Sequence, residues 1–349
     1  MSPSPDDPVE HLRRVVVRLA GAPARDIVEM PGGASTRRFF RVALADGRSA
    51  VAMFVPEVGR PDEIAKVDER GRRWPFLEVR DLLESRGVRV PCVVGDASEE
   101  GFLLVEDLGD DTLARFVDRD PGSREAIYQD AIRDLARAQR ALAELPAGSI
   151  VGQRSFDYDL LRWEVDHFRE WALEARGVTL EGEDRAIFDR AADHVARTVA
   201  SWPRGFVHRD YQSRNLMVVT EEAAPHLVWI DFQDALLGPR VYDLVALLND
   251  SYQVFDDAFV SARLDEYASH LGLDRAGREA VGREFDLVTV QRKLKDAGRF
   301  VFIEHRKGDP SYLRFVAPTI AKARRALGRL GGDPVLDALA ALIDRAVPA

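Results

Sequence analysis

The chain has 349 residues and a mass of 39.0 kDa, room for two domains or one large bilobal enzyme at roughly 150 residues per domain. Hydrophobic residues make up 46% and charged residues 31%, a globular balance that excludes global disorder and collagen-like repetition. With 49 Lys and Arg against 59 Asp and Glu, the formal charge of −10 sets the overall field against nucleic acid and anionic membranes.

The polar, acidic start Met1-Ser2-Pro3-Ser4-Pro5-Asp6-Asp7 lacks the basic end and apolar centre of a signal peptide. A short helix is expected over 9–20. Three strands follow at 26–30, 38–44 and 49–55, with the small-residue loop Pro31 to Thr36 after the first. Asp46-Gly47 predicts a type I′ hairpin between the second and third strands. Residues 74–86 carry a helical stripe (Trp74, Leu77, Leu82, Leu83) closed by Gly87, and strands are expected at 88–94 and 101–105. From Asp107 onward the pattern turns helical, with runs at 123–145, 157–176, 183–200, 255–271, 275–297 and 315–347. Short β-rich segments at 206–208, 216–219 and 227–230 interrupt it around a polar loop. The expected architecture is α+β and bilobal: a β-rich N-lobe over 1–107 and a mainly helical C-lobe over 108–349. No apolar run reaches the roughly 18 residues of a spanning helix, and the single cysteine, Cys92, excludes an intrachain disulfide framework. A cytoplasmic protein without membrane or nucleic-acid partners is expected.

The chemistry concentrates in His208-Arg209-Asp210-Tyr211-Gln212-Ser213-Arg214-Asn215 and in Ile230-Asp231-Phe232. Phosphoryl transfer needs a carboxylate to take the proton of an attacking hydroxyl and oxygen ligands to hold Mg²⁺ across nucleotide phosphates. Asp210 follows a short strand, Asn215 comes five residues later, and Asp231 ends the apolar strand Leu227 to Ile230. Alone, each is an ordinary turn or cap residue. Together they have the order and spacing of kinase-like enzymes, with Asp210 as base and Asn215 and Asp231 as metal ligands.

These motifs resemble the aminoglycoside phosphotransferase and choline kinase superfamily. Ala34 to Arg41, Phe102 to Gly109, Phe232-Gln233-Asp234-Ala235, and the late stretch Leu294 to Phe300 through Gly308 to Leu313 resemble, more narrowly, bacterial anomeric kinases of N-acetylmuramate and N-acetylglucosamine. The resemblance implies a protein-kinase-like fold and ATP and Mg²⁺ as co-substrate and cofactor. It implies backbone recognition of adenine from Glu106 to Leu108, and a phosphate-covering loop from Gly33 through Ser35 and Thr36 to Arg37. Arg214 is placed either on the transferring phosphoryl group or in a salt bridge that holds the loop. Asp243 is expected to bond the backbone of the catalytic loop.

One departure stands out. The third-strand lysine of most kinases is replaced in Ala50-Val51-Ala52-Met53, where Met53 takes its place. Arg37, Arg38, Arg41 and Lys66 are the candidates to supply the missing charge. Trp163, His167, Phe168 and Trp171 share a helix face, read as core packing or as a stacking surface for a sugar. Glu164, Asp166, Asp256 and Asp257 would suit a cationic acceptor, whereas Lys293, Lys295, Arg299, Arg306 and Lys307 would suit an anionic one or form a solvated face. The expected activity is phosphorylation of the anomeric hydroxyl of N-acetylmuramate or N-acetylglucosamine, for peptidoglycan recycling. An aminoglycoside or other small-molecule kinase and a nucleotide-binding scaffold are the alternatives.

Overall fold

The computed structural model describes residues 8–31, 37–55, 73–221 and 224–347. Helix α1 (Pro8–Ala20) precedes strands β1 (Ala24–Glu29), β2 (Arg38–Leu44) and β3 (Ser49–Phe54). Helix α2 (Pro75–Ser85) and strands β4 (Val93–Ala97) and β5 (Phe102–Glu106) follow. The strands form one antiparallel sheet in the order β1-β2-β3-β5-β4. Strand alternation divides its faces: Ala50 and Ala52 pack with Leu12, Val15 and Val16 of α1, while Met53, Leu103 and Val105 meet Leu77 of α2. Met53 is thus a core residue beneath the sheet, which accounts for an apolar side chain where a lysine would lose its hydration.

Two expectations in this lobe change. The turn at Asp46-Gly47 is not type I′. Only Gly47 has positive φ (89°), and Leu44 N donates to Arg48 O at 2.8 Å, so the loop is longer, with glycine alone left-handed. Strand β4 begins at Val93 rather than 88, because the preceding segment is tied to the other lobe. Trp229 N donates to Arg89 O at 2.9 Å, and the buried Val88 and Val90 join the C-lobe core.

The C-terminal part begins with helices α3 (Leu113–Arg119), α4 (Arg124–Ala141), α5 (Ile150–Gln153), α6 (Tyr158–His167) and α7 (Gly182–Ser201). Strands β6 (Arg204–Val207), β7 (Leu216–Glu221), β8 (Ala224–Trp229) and β9 (Leu236–Pro239) pair as β6–β9 and β7–β8. Helices α8 (Tyr242–Leu248), α9 (Asp257–His270), α10 (Arg275–Lys307), α11 (Val316–Arg329) and α12 (Pro334–Ala346) finish the fold. The run at 315–347 divides where Gly331-Gly332-Asp333-Pro334 ends one helix and caps the next; Asp333 accepts from Val335 N. Among the described residues no helix is long and apolar enough to cross a membrane.

Helix α10 runs ten residues past its expected end at 297, straight through Gly298. A Cβ at Gly298 would lie 2.2 Å from the carbonyl oxygen of His167, so glycine permits close approach of α10 to α6 rather than ending the helix. Opposite it, α6 passes into a π-helical turn at Phe168–Leu173.

This contact buries His167, whose ring nitrogens have no hydrogen-bond partner. Burial, aided by Lys295 and opposed by Glu164 and Asp166, pushes its pKa down to about 4. Above the unfolded pKa of about 6.5 both states are neutral. Below it the unfolded chain takes a proton that the folded chain refuses, so stability falls by about 1.4 kcal/mol per pH unit. His167→Leu removes this term. In urea titrations its stability relative to the parent should rise by about 2 kcal/mol between pH 7.5 and 5; a gap that stays constant would contradict a neutral buried imidazole.

Candidate active site

The site is built where the β6–β9 and β7–β8 pairs meet. After β6 the chain turns sharply at Arg209 (φ 80°), and after β8 it turns at Asp231 (φ 63°); these are the two non-glycine residues with positive φ among those described. Each such conformation costs on the order of 1–3 kcal/mol and persists only where surrounding bonds enforce it. Buried Asp243 supplies two of them, accepting from His208 N at 2.7 Å and Arg209 N at 3.0 Å, as the sequence led us to expect. Arg292 donates to Arg209 O at 2.7 Å. His208, fully buried against Tyr211 and Trp229, accepts from Asp210 N at 3.3 Å.

Asp210, Asn215 and Asp231 come together. Asn215 Nδ2 donates to Asp210 O at 2.9 Å and lies 3.5 Å from Asp231 Oδ2, while Ile230 N donates to Asn215 O at 3.0 Å. Gln233 Nε2 bridges Asp231 Oδ1 at 2.9 Å and Asp234 Oδ2 at 3.0 Å. From above, Phe76 of α2 packs on Phe232 with ring centroids 5.0 Å apart, coupling the N-lobe helix to the turn that carries Asp231.

The two carboxyls are driven in opposite directions. Burial pushes Asp210 up, but Arg292, Lys295, Arg209 and His208 outweigh it and hold the group below its usual range, ionised. Asp231 is raised, chiefly by burial, with Asp210 and Asp234 adding repulsion against the relief from Arg37 and Gln233. Asp210 is thus held as an ionised carboxylate, while Asp231 sits in an excess of negative charge that Arg37 only partly relieves.

The N-lobe arginines separate cleanly. Arg37 reaches down to Asp231 (3.6 Å) and Asp234 (3.9 Å). Arg38 instead makes a bidentate pair with Glu29 at 2.7 and 2.8 Å on the sheet's outer strands. Arg41 bonds Asp107, Gly109 O and Asp110, tying the sheet to the connector after β5. Glu106 ends β5 in a bidentate pair with Arg89 (2.9 and 2.6 Å), and its backbone N donates to Cys92 O at 2.9 Å. Leu108, half-buried, sits in the connector between the lobes. Gly33, Ser35, Thr36 and Lys66 lie outside the described residues. Arg214 is exposed, with its guanidinium 3.5 Å from the centroid of the Tyr252 ring, rather than in the salt bridge considered for it.

Sequence reasoning missed Arg292, whose side chain is 3% exposed and whose Nη2 lies 3.3 Å from Asp210 Oδ1. Its signal was a cationic run, Arg292-Lys293 and Lys295, on the buried face of a helix. Lys293 and Lys295 are not on a solvated face either; both pair with Asp296, at 2.8 and 3.3 Å. Of the proposed acids, Asp256 caps α9, Asp166 pairs with Arg162, and Asp257 is exposed. Glu164 alone approaches the loop, 3.7 Å from Arg209.

For a divalent ion the donor chemistry fits: an amide and a carboxylate, both hard oxygen donors, with an arginine already standing as a cation beside the carboxylate. Among the described residues no cluster of three or more His, Cys, Asp or Glu forms a self-sufficient metal site, so phosphate oxygens and water would complete the shell.

Asp210, Asn215 and Asp231, brought together beneath an antiparallel sheet and held by a helical lobe, have the arrangement of a protein-kinase-like phosphotransferase. The chain belongs to the phosphotransferase enzyme family, which it matches over residues 26–281. It is 35% identical over 323 residues to the N-acetylmuramate/N-acetylglucosamine kinase of Pseudomonas aeruginosa, spanning 88% of each chain. A protein of the same name from Neisseria meningitidis is 31% identical over 297 residues, 82% of this chain and 81% of that one. Among solved structures, an amicoumacin kinase in complex with AMP-PNP and Ca²⁺ superposes with a TM-score of 0.63 at 12% identity, over 91% of this chain and 93% of its own. The ADP-bound aminoglycoside phosphotransferase APH(2'')-Ib gives 0.56 at 15% identity, over 90% and 96%. These two likenesses concern the fold.

Proposed function

We propose that this phosphotransferase is a cytoplasmic kinase that moves the γ-phosphoryl group of Mg·ATP to the anomeric hydroxyl of N-acetylmuramate and/or N-acetylglucosamine, yielding sugar 1-phosphates for peptidoglycan recycling. The observation that carries this reading is the shared name of its curated relatives, which match most of the chain.

The geometry supports the roles. Asp210 accepts the hydroxyl proton as the sugar oxygen bonds to the γ-phosphorus and the bond to the β–γ bridging oxygen breaks, releasing ADP. An anomeric hydroxyl is more acidic than an ordinary alcohol, so a carboxylate held below its usual pKa suffices. Asn215 and Asp231 would hold Mg²⁺, which when bound neutralises phosphate charge. Arg37 takes over the charge of the absent third-strand lysine, and the loop of Gly33, Ser35 and Thr36 covers the phosphates. The backbone from Glu106 to Leu108 recognises adenine, with the boundary between lobes at 107. Arg214, stacked at the loop's rim, offers a cation toward the transferred group; Arg38, engaged by Glu29, lies farther out in the nucleotide half.

The balance of charge speaks against a polycationic acceptor. Arg209, Arg292 and Lys295 surround the base, and of the four acids the sequence offered for a cationic acceptor only Glu164 approaches the loop, where Arg209 meets it. Coupled ADP release should therefore be seen with N-acetylmuramate or N-acetylglucosamine, be lost with their C1 methyl glycosides, and be absent with kanamycin and choline. Turnover of kanamycin alone would replace the sugar assignment, and silence with all four would favour a nucleotide-binding scaffold.

A further inference from the structure

The family match ends at residue 281, yet a side chain beyond it touches the catalytic loop. Arg292 lies near the middle of α10, 82 residues after Asp210. Its side chain is buried, with the guanidinium 4.7 Å from the centroid of the Tyr242 ring. Nη1 donates to Arg209 O at 2.7 Å and Nη2 to Asp210 Oδ1 at 3.3 Å, while Nε faces Asp296 at 3.9 Å.

We propose that Arg292 is the positioning residue of the transfer site: its two-pronged guanidinium locks the left-handed turn at Arg209 and the carboxylate of Asp210 as one unit. The proposal rests on Asp210 being the base. Besides His208, which accepts from Asp210 N, three groups brace this turn. Asp243 holds backbone N–H groups, and Asn215 holds the Asp210 carbonyl. Arg292 alone of the three bonds both the backbone and the carboxylate, and so sets the side-chain angle of the base. No described residue donates to Asp210 Oδ2, which leaves that oxygen for the acceptor hydroxyl. The fork is what the geometry requires: a lysine ammonium carries a charge but cannot align two parallel N–H groups on two fixed acceptors. Stacking on Tyr242 fixes the plane of the fork, and the long 3.3 Å contact orients the carboxylate without making a short, tight bond to it.

A misplacement of the base of order 1 Å costs about 100-fold in rate. Arg292→Met should therefore lower kcat about 100-fold, with KM for ATP and for sugar changed by less than about threefold, and Arg292→Lys should recover part of the loss. The decisive measurement is a double-mutant cycle. With Asp210 already replaced by asparagine, Arg292→Met should cost less than about threefold more, because it acts through the carboxylate. Equal losses in both backgrounds, or a raised KM at unchanged kcat, overturn the proposal. Thermal melting accompanies each variant, and if Arg292→Met does not fold, the cycle is run with Arg292→Lys. The same four proteins are assayed for Mg·ATP hydrolysis with water as acceptor. Coupling there without any sugar turnover would retain Arg292 and remove the sugar assignment, whereas sugar turnover with additive losses would do the reverse.

Discussion

Asp210→Ala lowers kcat on the N-acetylated sugars by about 100- to 10,000-fold, the range a positioned general base contributes, while Mg·ATP continues to raise the melting temperature as in the parent chain. The expectation follows from where Asp210 stands. Its backbone is held by His208 and Asn215 and its carboxylate by Arg292, none of which depends on nucleotide. Removing the carboxylate takes away the proton acceptor and leaves the Asn215–Asp231 side and Arg37 in place, so binding and chemistry separate. The three cations and the imidazole around it keep the group ionised, and the variant therefore loses a charge that is present throughout the neutral range. An alanine variant as fast as the parent would remove Asp210 from the mechanism. An alanine variant that no longer responds to Mg·ATP would instead assign the residue to nucleotide binding.

How much of this was legible in the chain depends on the distance between the residues concerned. Asp210, Asn215 and Asp231 could be read together because one loop and one hairpin hold them, and local chain geometry fixes their spacing. Asp243 was legible through the resemblance to the superfamily rather than through local spacing. Arg292 was not, since nothing local distinguishes a cation on a buried helix face from one on a wet face. The distinction is made by tertiary packing: Gly298 lets α10 lie against the carbonyl of His167, and Arg292 on the same helix reaches the loop. The helical run expected over 275–297 stops just short of Gly298, because in sequence a glycine that permits close packing looks like one that stops a helix. Arg37 and Arg38 show the same limit. Adjacent at the entry to β2, they take different partners, and only the sheet's placement says which meets Asp231 and which meets Glu29.

Asp231→Asn should be as damaging as loss of the base, with a different signature. A bound divalent ion supplies several kcal/mol of charge stabilisation, and about 1.4 kcal/mol is tenfold in rate, so kcat at fixed Mg²⁺ should fall about 1,000-fold. The asparagine keeps an oxygen and can still meet the Gln233 amide, so the turn at φ 63° should survive, and melting should be little changed. Part of the rate should return as Mg²⁺ is raised into the millimolar range, which no amount of Mg²⁺ would achieve for Asp210→Ala. The parent enzyme should also bind Mg·ATP more weakly as pH falls. Burial and the neighbouring Asp210 and Asp234 raise the Asp231 pKa, so protons compete with the cation at a higher pH than for a free carboxylate. In the asparagine variant that competition is gone, and its weaker Mg²⁺ dependence should be flat across the same interval. A steep pH dependence that persisted in Asp231→Asn would move the titrating ligand to another residue.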